Sequence, residues 1–470
     1  MSVQRVLIAR LHGTLVGRVG HPRNPRPPYT VKYLEALLLR DPRIGVRFVD
    51  GLVHPRSQAR LVQHIATLNP QVVVLQATTL DLPLLHSTLD ALRALPEPPV
   101  TILVGQVLAA PGVVDIDAMP GLDLAVSGEA EQRVYRILQE LDSGRTNDAI
   151  RDEYEHAGHA IVERPSQLPP LHFTRASLLD YRRHYPLRMR GRARWGHLLT
   201  GRGCPGGCLF CSPVTRESYG ARLRLRDPGE LLSELEGQLG LGATVFALDD
   251  DDFTASKPHV EAFCDGLQRM AAPPRWICHA RIDDLDPSLI ERMAAAGCVL
   301  MRFGVESASP RVLRTLNKTR RPDWAELARD VFARCHKAGV ATSALVLLGN
   351  PDETRDEAES TIALARQLAP DMVQFHYFTP YPGSVAYQRY GHRIPTELVP
   401  SLYHYDTPPV NLSRMGDAEL SALYRSAYRG HLLRPGFVLR HGIRYLPFYA
   451  SNPDIFLDLL PGSGPEEPRS

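Results

Sequence analysis

Residues 201–213 read GRGCPGGCLFCSP and place Cys204, Cys208 and Cys211 in the spacing Cys-x3-Cys-x2-Cys. No fourth cysteine follows nearby; the next is Cys264. Three thiolates hold three corners of a four-iron cluster and leave one iron open to a small molecule, whereas a fully ligated cluster carries electrons and little else. Gly201, Gly203, Pro205, Gly206 and Gly207 let the loop wrap tightly, with backbone amides free to point at sulfur. Zinc, the competing metal, prefers four ligands in paired knuckles, and the second Cys-x2-Cys is missing. A disulfide framework fails on arithmetic, because 7 cysteines in 470 residues is an odd number.

The loop follows WGHLLTG (195–201), which has the pattern of a strand. Strand and helix then alternate. Helical patterns cover 228–239, 258–271, 286–296, 310–338 and 354–368, and strand patterns cover 244–250, 275–280, 299–307, 341–349 and 371–378. Such strand–helix units over 194–390 predict a partial barrel, with reactive groups gathered at the carboxyl ends of its strands. Upstream, 3–10, 46–50, 71–77, 101–106 and 122–128 read as strands, with helices at 30–41, 57–68, 84–95 and 131–144. The fold class is therefore α/β, with residues 1–145 forming a doubly wound five-stranded parallel sheet whose central strand is 71–77. Ligands of such sheets sit beyond the strand ends, where Thr78, Thr79, Gly105, Gln106, Ser127, Gly128 and Glu129 fall. Residues 146–193 read as an irregular linker that touches the barrel at LHFTRASLLDY. Residues 391–470 read as a mixed helical region with a disordered tail, PGSGPEEPRS.

The cysteine spacing with Phe210 before the last cysteine resembles the signature of the radical S-adenosylmethionine (SAM) superfamily, and the likeness runs on through the downstream strands. The resemblance implies a 4Fe-4S cluster on Cys204, Cys208 and Cys211, with SAM on the open iron and a 5′-deoxyadenosyl radical as the product of its cleavage. It further implies that Asp250, in LDDDDF, approaches the SAM amino group, although the run also reads as a solvated acidic turn. By the same likeness Arg281 meets the SAM carboxylate. Glu306 and Ser307 contact the ribose or cap a helix, and Gly349 with Asn350 and Pro351 forms the adenine-side turn. FTPYPGS (378–384) resembles the closing segment of the barrel.

The sheet domain resembles the cobalamin-binding domain of one radical SAM subgroup, in the run PRPPYTVKYLEALLL (25–39) and in SGEAE (127–131). One departure is visible. In ARLHGTLVGRVG, His12 lacks the Asp and Gly of the cobalt-ligating motif Asp-x-His-x-x-Gly, so histidine ligation of cobalt is not expected. A domain that merely scaffolds is the competing reading.

The expected function is a cobalamin-dependent radical SAM methyltransferase acting on an unactivated carbon of a small metabolite or natural-product intermediate. A radical cyclisation or rearrangement on the same architecture is the alternative, and an iron–sulfur carrier or regulatory protein comes from a different class. A methylthio-transferase is disfavoured, because no cysteine precedes Cys204. Expected partners are the small-molecule substrate and an electron donor such as flavodoxin or ferredoxin. A net charge of +2, with 54 Lys and Arg against 52 Asp and Glu, gives no case for nucleic acid. No membrane span or signal peptide is read, and the expected location is cytoplasmic. Cys264, Cys278, Cys298 and Cys335 read as small core residues, with Cys278 or Cys298 open to a reactive role. His12, His21 and His279 read as surface or satisfied polar groups, and Tyr403, Tyr405 and Arg414 as pocket or barrel cover.

Overall fold

A computed structural model describes residues 4–12, 25–54, 60–109, 119–155, 158–183, 185–187, 189, 191–211, 219–395, 398, 402, 410–432 and 435–453. His21, Tyr403, Tyr405 and the end of the chain lie outside the described residues.

The first unit is a five-stranded parallel sheet of β1 (Gln4–Arg10), β2 (Ile44–Asp50), β3 (Val72–Gln76), β4 (Val100–Val104) and β5 (Leu124–Val126), in the order β2-β1-β3-β4-β5. The run VVVLQ of β3 has no polar face and takes the central place, buried by helices on both sides. Two apolar clusters, one on each face, hold those helices: Val6, Ile8 and Val74 point to one, Leu7, Ala9 and Val73 to the other.

The second unit is a six-stranded parallel sheet curled as a partial barrel. Its strands are β6 (Trp195–Leu198), β9 (Val245–Leu248), β10 (Arg275–Ala280), β11 (Cys298–Glu306), β12 (Ala341–Leu348) and β13 (Met372–Tyr377), adjacent in chain order. Two short strands, β7 (Gly201–Arg202) and β8 (Arg224–Leu225), pair antiparallel beside it. The intervening helices start on side-chain caps: Asp227, Asp286, Ser309 and Thr354 each accept a backbone N–H of the first turn. Inside the barrel, Leu187, Trp195, Val245, Ile277, Leu300 and Phe448 form an apolar floor.

The segment 146–193 differs from its sequence reading. It contains helices Asn147–Glu155 and Arg175–Asp180. Val162, Leu168, Leu171, Phe173, Leu178 and Tyr181 are buried in the main barrel core. The apolar residues between the helices come in runs of one to three and show no period, so their docking is a tertiary matter that pattern does not encode. The contact at LHFTRASLLDY is present. Toward the end of the chain, helices Asp417–Leu432 and Pro435–Ser451 agree with the helical reading. No described helix is long and apolar enough to cross a membrane.

Candidate metal centre and cofactor site

The cysteine loop leaves β6 at its carboxyl end, and the β7–β8 pair closes its base. Gly203 turns the chain with a φ of +84°, where a Cβ would lie 2.2 Å from the Arg222 carbonyl oxygen. A Cβ on Gly206 would stand 3.3 Å from Cys204 Sγ and 3.9 Å from Cys208 Sγ, so both sulfurs face this bare backbone. Cys204, Cys208 and Cys211 are unbridged and partly exposed. The far side of the loop is tied to the barrel. Leu209 N–H donates to the Leu316 carbonyl at 2.8 Å, Ala386 N–H donates to the Leu209 carbonyl at 3.0 Å, and Asn317 Nδ2 donates to the Gly207 carbonyl at 2.7 Å. Phe210 packs against the apolar cluster of Leu209, Val312 and Phe378.

Burial pushes the Cys204 thiol up to about 11, so a cation must replace its proton before it binds as thiolate. Arg281 Nη1 is 3.6 Å from Cys208 Sγ, while Nη2 donates to Asp283 Oδ2 at 2.9 Å and to the Lys318 carbonyl at 2.9 Å. Among the described residues no three His, Cys, Asp or Glu side chains converge on the space of one ion. Three thiolates that serve three irons of a cluster stand further apart than the ligands of one zinc. The bare cradle at Gly206 and a donor set of three thiols fit a cluster with one open iron.

The loop is also clamped to the sheet domain. Glu129 and Glu131, just past β5, are fully buried. Arg224 Nη1 donates to Glu129 Oε2 at 2.8 Å, and Arg202 Nη2 donates to Glu131 Oε1 at 2.6 Å. Arg202 Nη1 lies 3.3 Å from Glu129 Oε2, which joins the two pairs. Burial works against the Arg202 charge, and Glu131 and Glu129 more than restore it. Tyr33 of the sheet domain lies under Arg202 and Arg226. Sequence reading missed Glu131, Arg202 and Arg224; the signal was the alternation Arg222, Arg224, Arg226 beside the loop.

Other predicted residues split between open and engaged. Glu306 sits at the end of β11 with a φ of 61°, its Oε1 3.4 Å from Lys318 Nζ, and burial raises its carboxyl. Gly304 makes room for that pair, since a Cβ there would fall 2.3 Å from Glu306 Oε1. Gly349 turns with a φ of +75°, and the next side chain, Asn350, keeps a buried Oδ1 with no hydrogen-bond partner among the described residues. Asp250, Ser307 and Glu129 are engaged. Asp250 accepts from Thr200 and Gly201, Ser307 Oγ meets Thr361 Oγ1 at 3.0 Å, and Glu129 holds Arg224 and the Val162 N–H. Cys264, Cys278, Cys298 and Cys335 are buried, and burial raises the Cys278 thiol well above its ordinary range, which removes its thiolate at neutral pH.

At the carboxyl edge of the first sheet, Gly105 and Gly128 have φ of +109° and +88°. Ser127 Oγ meets His159 Nδ1 at 2.5 Å, and Thr78 caps the next turn through Asp81. Gln106 opens the short turn after β4 and is half-buried. Gln76 Oε1 and Thr79 Oγ1 are buried without hydrogen-bond partners among the described residues. Buried polar atoms of this kind are normally satisfied. Their position at the carboxyl end of the central strand and in the turn just after it suits a polar ligand laid across the edge.

Residues 198–365 match the family model for the radical SAM superfamily. A methyltransferase of Pyrococcus horikoshii, uncharacterised beyond that name, is 24% identical over 446 residues, which cover 89% of this chain and 93% of the relative. The anaerobic magnesium-protoporphyrin IX monomethyl ester cyclase of Rubrivivax gelatinosus is 26% identical over 427 residues, 88% of this chain and 75% of the relative. The solved structure of the radical SAM methyltransferase TsrM from Kitasatospora setae, with cobalamin and a 4Fe-4S cluster bound, matches with a TM-score of 0.65 at 18% identity, over 84% of this chain and 75% of that one. The shared fold spans sheet domain and barrel together. The segment that carries the cysteine loop and most of the barrel thus matches the radical SAM superfamily, and a five-stranded sheet domain stands in front of it.

Proposed function

We propose that the protein is a cobalamin-dependent radical SAM enzyme that methylates an unactivated carbon of a small metabolite or natural-product intermediate. The observation that carries this reading is the fastening of the cysteine loop, through Arg202 and Arg224, to Glu131 and Glu129 at the carboxyl edge of the sheet. Two cofactor edges held together by buried ion pairs suit one shared reaction space. The name of the Pyrococcus relative and the cofactors of the Kitasatospora structure agree with it.

In this reading Cys204, Cys208 and Cys211 hold the cluster. Phe210, Arg281, Glu306 and Gly349 serve SAM, while Asp250 and Ser307 keep the strand ends in place. Thr78, Thr79, Gly105, Gln106 and Gly128 line the cobalamin edge, with Ser127 and Glu129 supporting it. When bound, the cluster would supply the electron that cleaves SAM, and the corrinoid the methyl group. Arg281, 3.6 Å from Cys208 Sγ, offsets thiolate charge at the loop. A small electron-transfer protein such as flavodoxin or ferredoxin would deliver the electrons.

Anaerobic reconstitution with iron, sulfide and hydroxocobalamin tests the reading. Iron–sulfur and corrinoid bands should both remain after desalting, and a Cys208→Ala variant should lose iron and all SAM cleavage. Corrinoid retained by neither the wild type nor the variant would reduce the sheet domain to a scaffold. A second reading, radical ring closure without methyl transfer, is favoured by the Rubrivivax cyclase. Product mass separates the two, by the gain of one methyl group or none.

A further inference from the structure

Among the described residues, the middle of the barrel holds more positive charge than it balances. Arg302 projects from β11 and is 6% exposed. Its Nη1 donates to His279 Nε2 at 2.9 Å and its Nη2 to Gln374 Oε1 at 2.8 Å, while the guanidinium lies 5.0 Å from the centre of the Tyr185 ring. None of these partners carries negative charge. His279 is held well below its ordinary range by burial, with Arg302 and Arg26 adding to the effect, so it stays neutral. Arg302 Nε is buried with no hydrogen-bond partner among the described residues, and none of their carboxylates comes within ion-pair distance of it. The carboxylate that faces this layer, Asp249, is already engaged by Arg183 Nη2 at 2.5 Å and by the Tyr29 hydroxyl at 2.7 Å, with Arg26 Nε 4.0 Å away. A buried ion without a counter-ion is strongly unfavourable, and a fold keeps one where a ligand supplies the opposite charge.

The place fits a substrate better than a structural anion. Tyr185 rests edge-on against Trp195 of the apolar floor, so Arg302 lies just above that floor. It precedes Glu306, at the carboxyl end of β11, by about 13 Å of strand. A molecule reaching Arg302 from the mouth would therefore pass the strand ends where the cysteine loop stands.

We propose that Arg302 anchors an anionic group, a carboxylate or a phosphate, of the molecule on which the enzyme acts, with Arg183 and Arg26 adding to the field. The word substrate rests on the function proposed above; the anion site itself does not. SAM also carries a carboxylate and is the competing occupant.

The test uses the cluster-loaded full chain and reads Tm at constant ionic strength, with inorganic phosphate, benzoate and neutral benzamide as probes. Wild type should gain about 2 °C or more from phosphate or benzoate at tens of millimolar, and nothing from benzamide. In Arg302→Met the shift should vanish while the anion-free Tm stays equal or rises, since an unpaired buried cation is gone. Arg302→Lys should keep part of the shift. A lower anion-free Tm in Arg302→Met, with no anion response in the wild type, would make Arg302 a structural post and overturn the proposal. An anion shift that survives in Arg302→Met would overturn it too. If saturating SAM abolishes the wild-type response, the site belongs to the SAM carboxylate and the substrate assignment falls, whereas a response that persists beside SAM upholds it. These readings stand apart from methyl transfer, which can fail without touching them.

Discussion

Asp250 receives the Thr200 N–H at 3.0 Å, the Thr200 hydroxyl at 2.9 Å and the Gly201 N–H at 2.7 Å, and so fixes the turn from β6 into the cysteine loop. Burial pushes its carboxyl up to about 7 against those donors. The folded chain thus keeps a proton that the unfolded chain releases near its ordinary value of 3.8. Stability from this group is complete below that value and is lost as pH rises through about 7. The wild type should therefore lose stability between pH 5 and pH 8. Asp250→Asn, neutral throughout, should flatten that loss by about 3 kcal/mol, as read from urea midpoints at the two pH values; equal slopes in both proteins would mean that the carboxylate stays ionised. The cysteine loop and its place after a strand could be read from the local pattern, because the spacing and the strand that leads into it are adjacent in the chain. The Asp250 contacts could not, because an acidic run such as LDDDDF says nothing about which of its members turns inward.

At the scale of elements, β8 inverts the usual pattern. In Arg222-Leu223-Arg224-Leu225-Arg226 the arginines at 224 and 226 are buried, at 5% and 4% exposure, while Leu225 is 37% exposed. The inversion follows from what waits inside: Glu129 for Arg224 and Glu234 for Arg226. Binary patterning would turn this strand over, and only knowledge of the distant glutamates corrects it. The same holds for the segment 146–193, whose helix Asn147–Glu155 is mostly charged and gives little apolar signal. The barrel strands and their helices, by contrast, follow from long apolar runs and capped starts. Glu129→Gln should cost about 3–5 kcal/mol, because Arg224 is left buried without its charge partner. Adding Arg224→Met should recover much of that loss. Denaturant unfolding of the two single variants and the double variant measures the coupling, and additive losses would mean that the pair carries no specific interaction.

For the whole molecule, the clamp makes the sheet domain part of the cysteine loop's support. Among the described residues, the contacts that cross between the units at or near the loop and strand ends include Glu131 to Arg202, Glu129 to Arg224, Tyr33 to Arg226 and Tyr29 to Asp249. A barrel without the sheet would expose the guanidiniums of Arg202 and Arg224 beside the cysteine loop and free the β7–β8 pair that closes its base. A chain cut to 146–470 keeps Cys204, Cys208 and Cys211 yet loses these sheet-side partners. Its expected behaviour is a lower Tm and iron uptake well below that of the full chain under the same anaerobic reconstitution, with SAM cleavage reduced in proportion. Supplying residues 1–145 as a separate chain should restore part of the iron content if the two units recognise each other through these ion pairs, and raised salt should weaken that rescue only modestly, because buried pairs are screened little. Equal iron loading by the cut chain and the full chain would mean that the barrel organises its own loop and that the sheet domain serves its ligand alone.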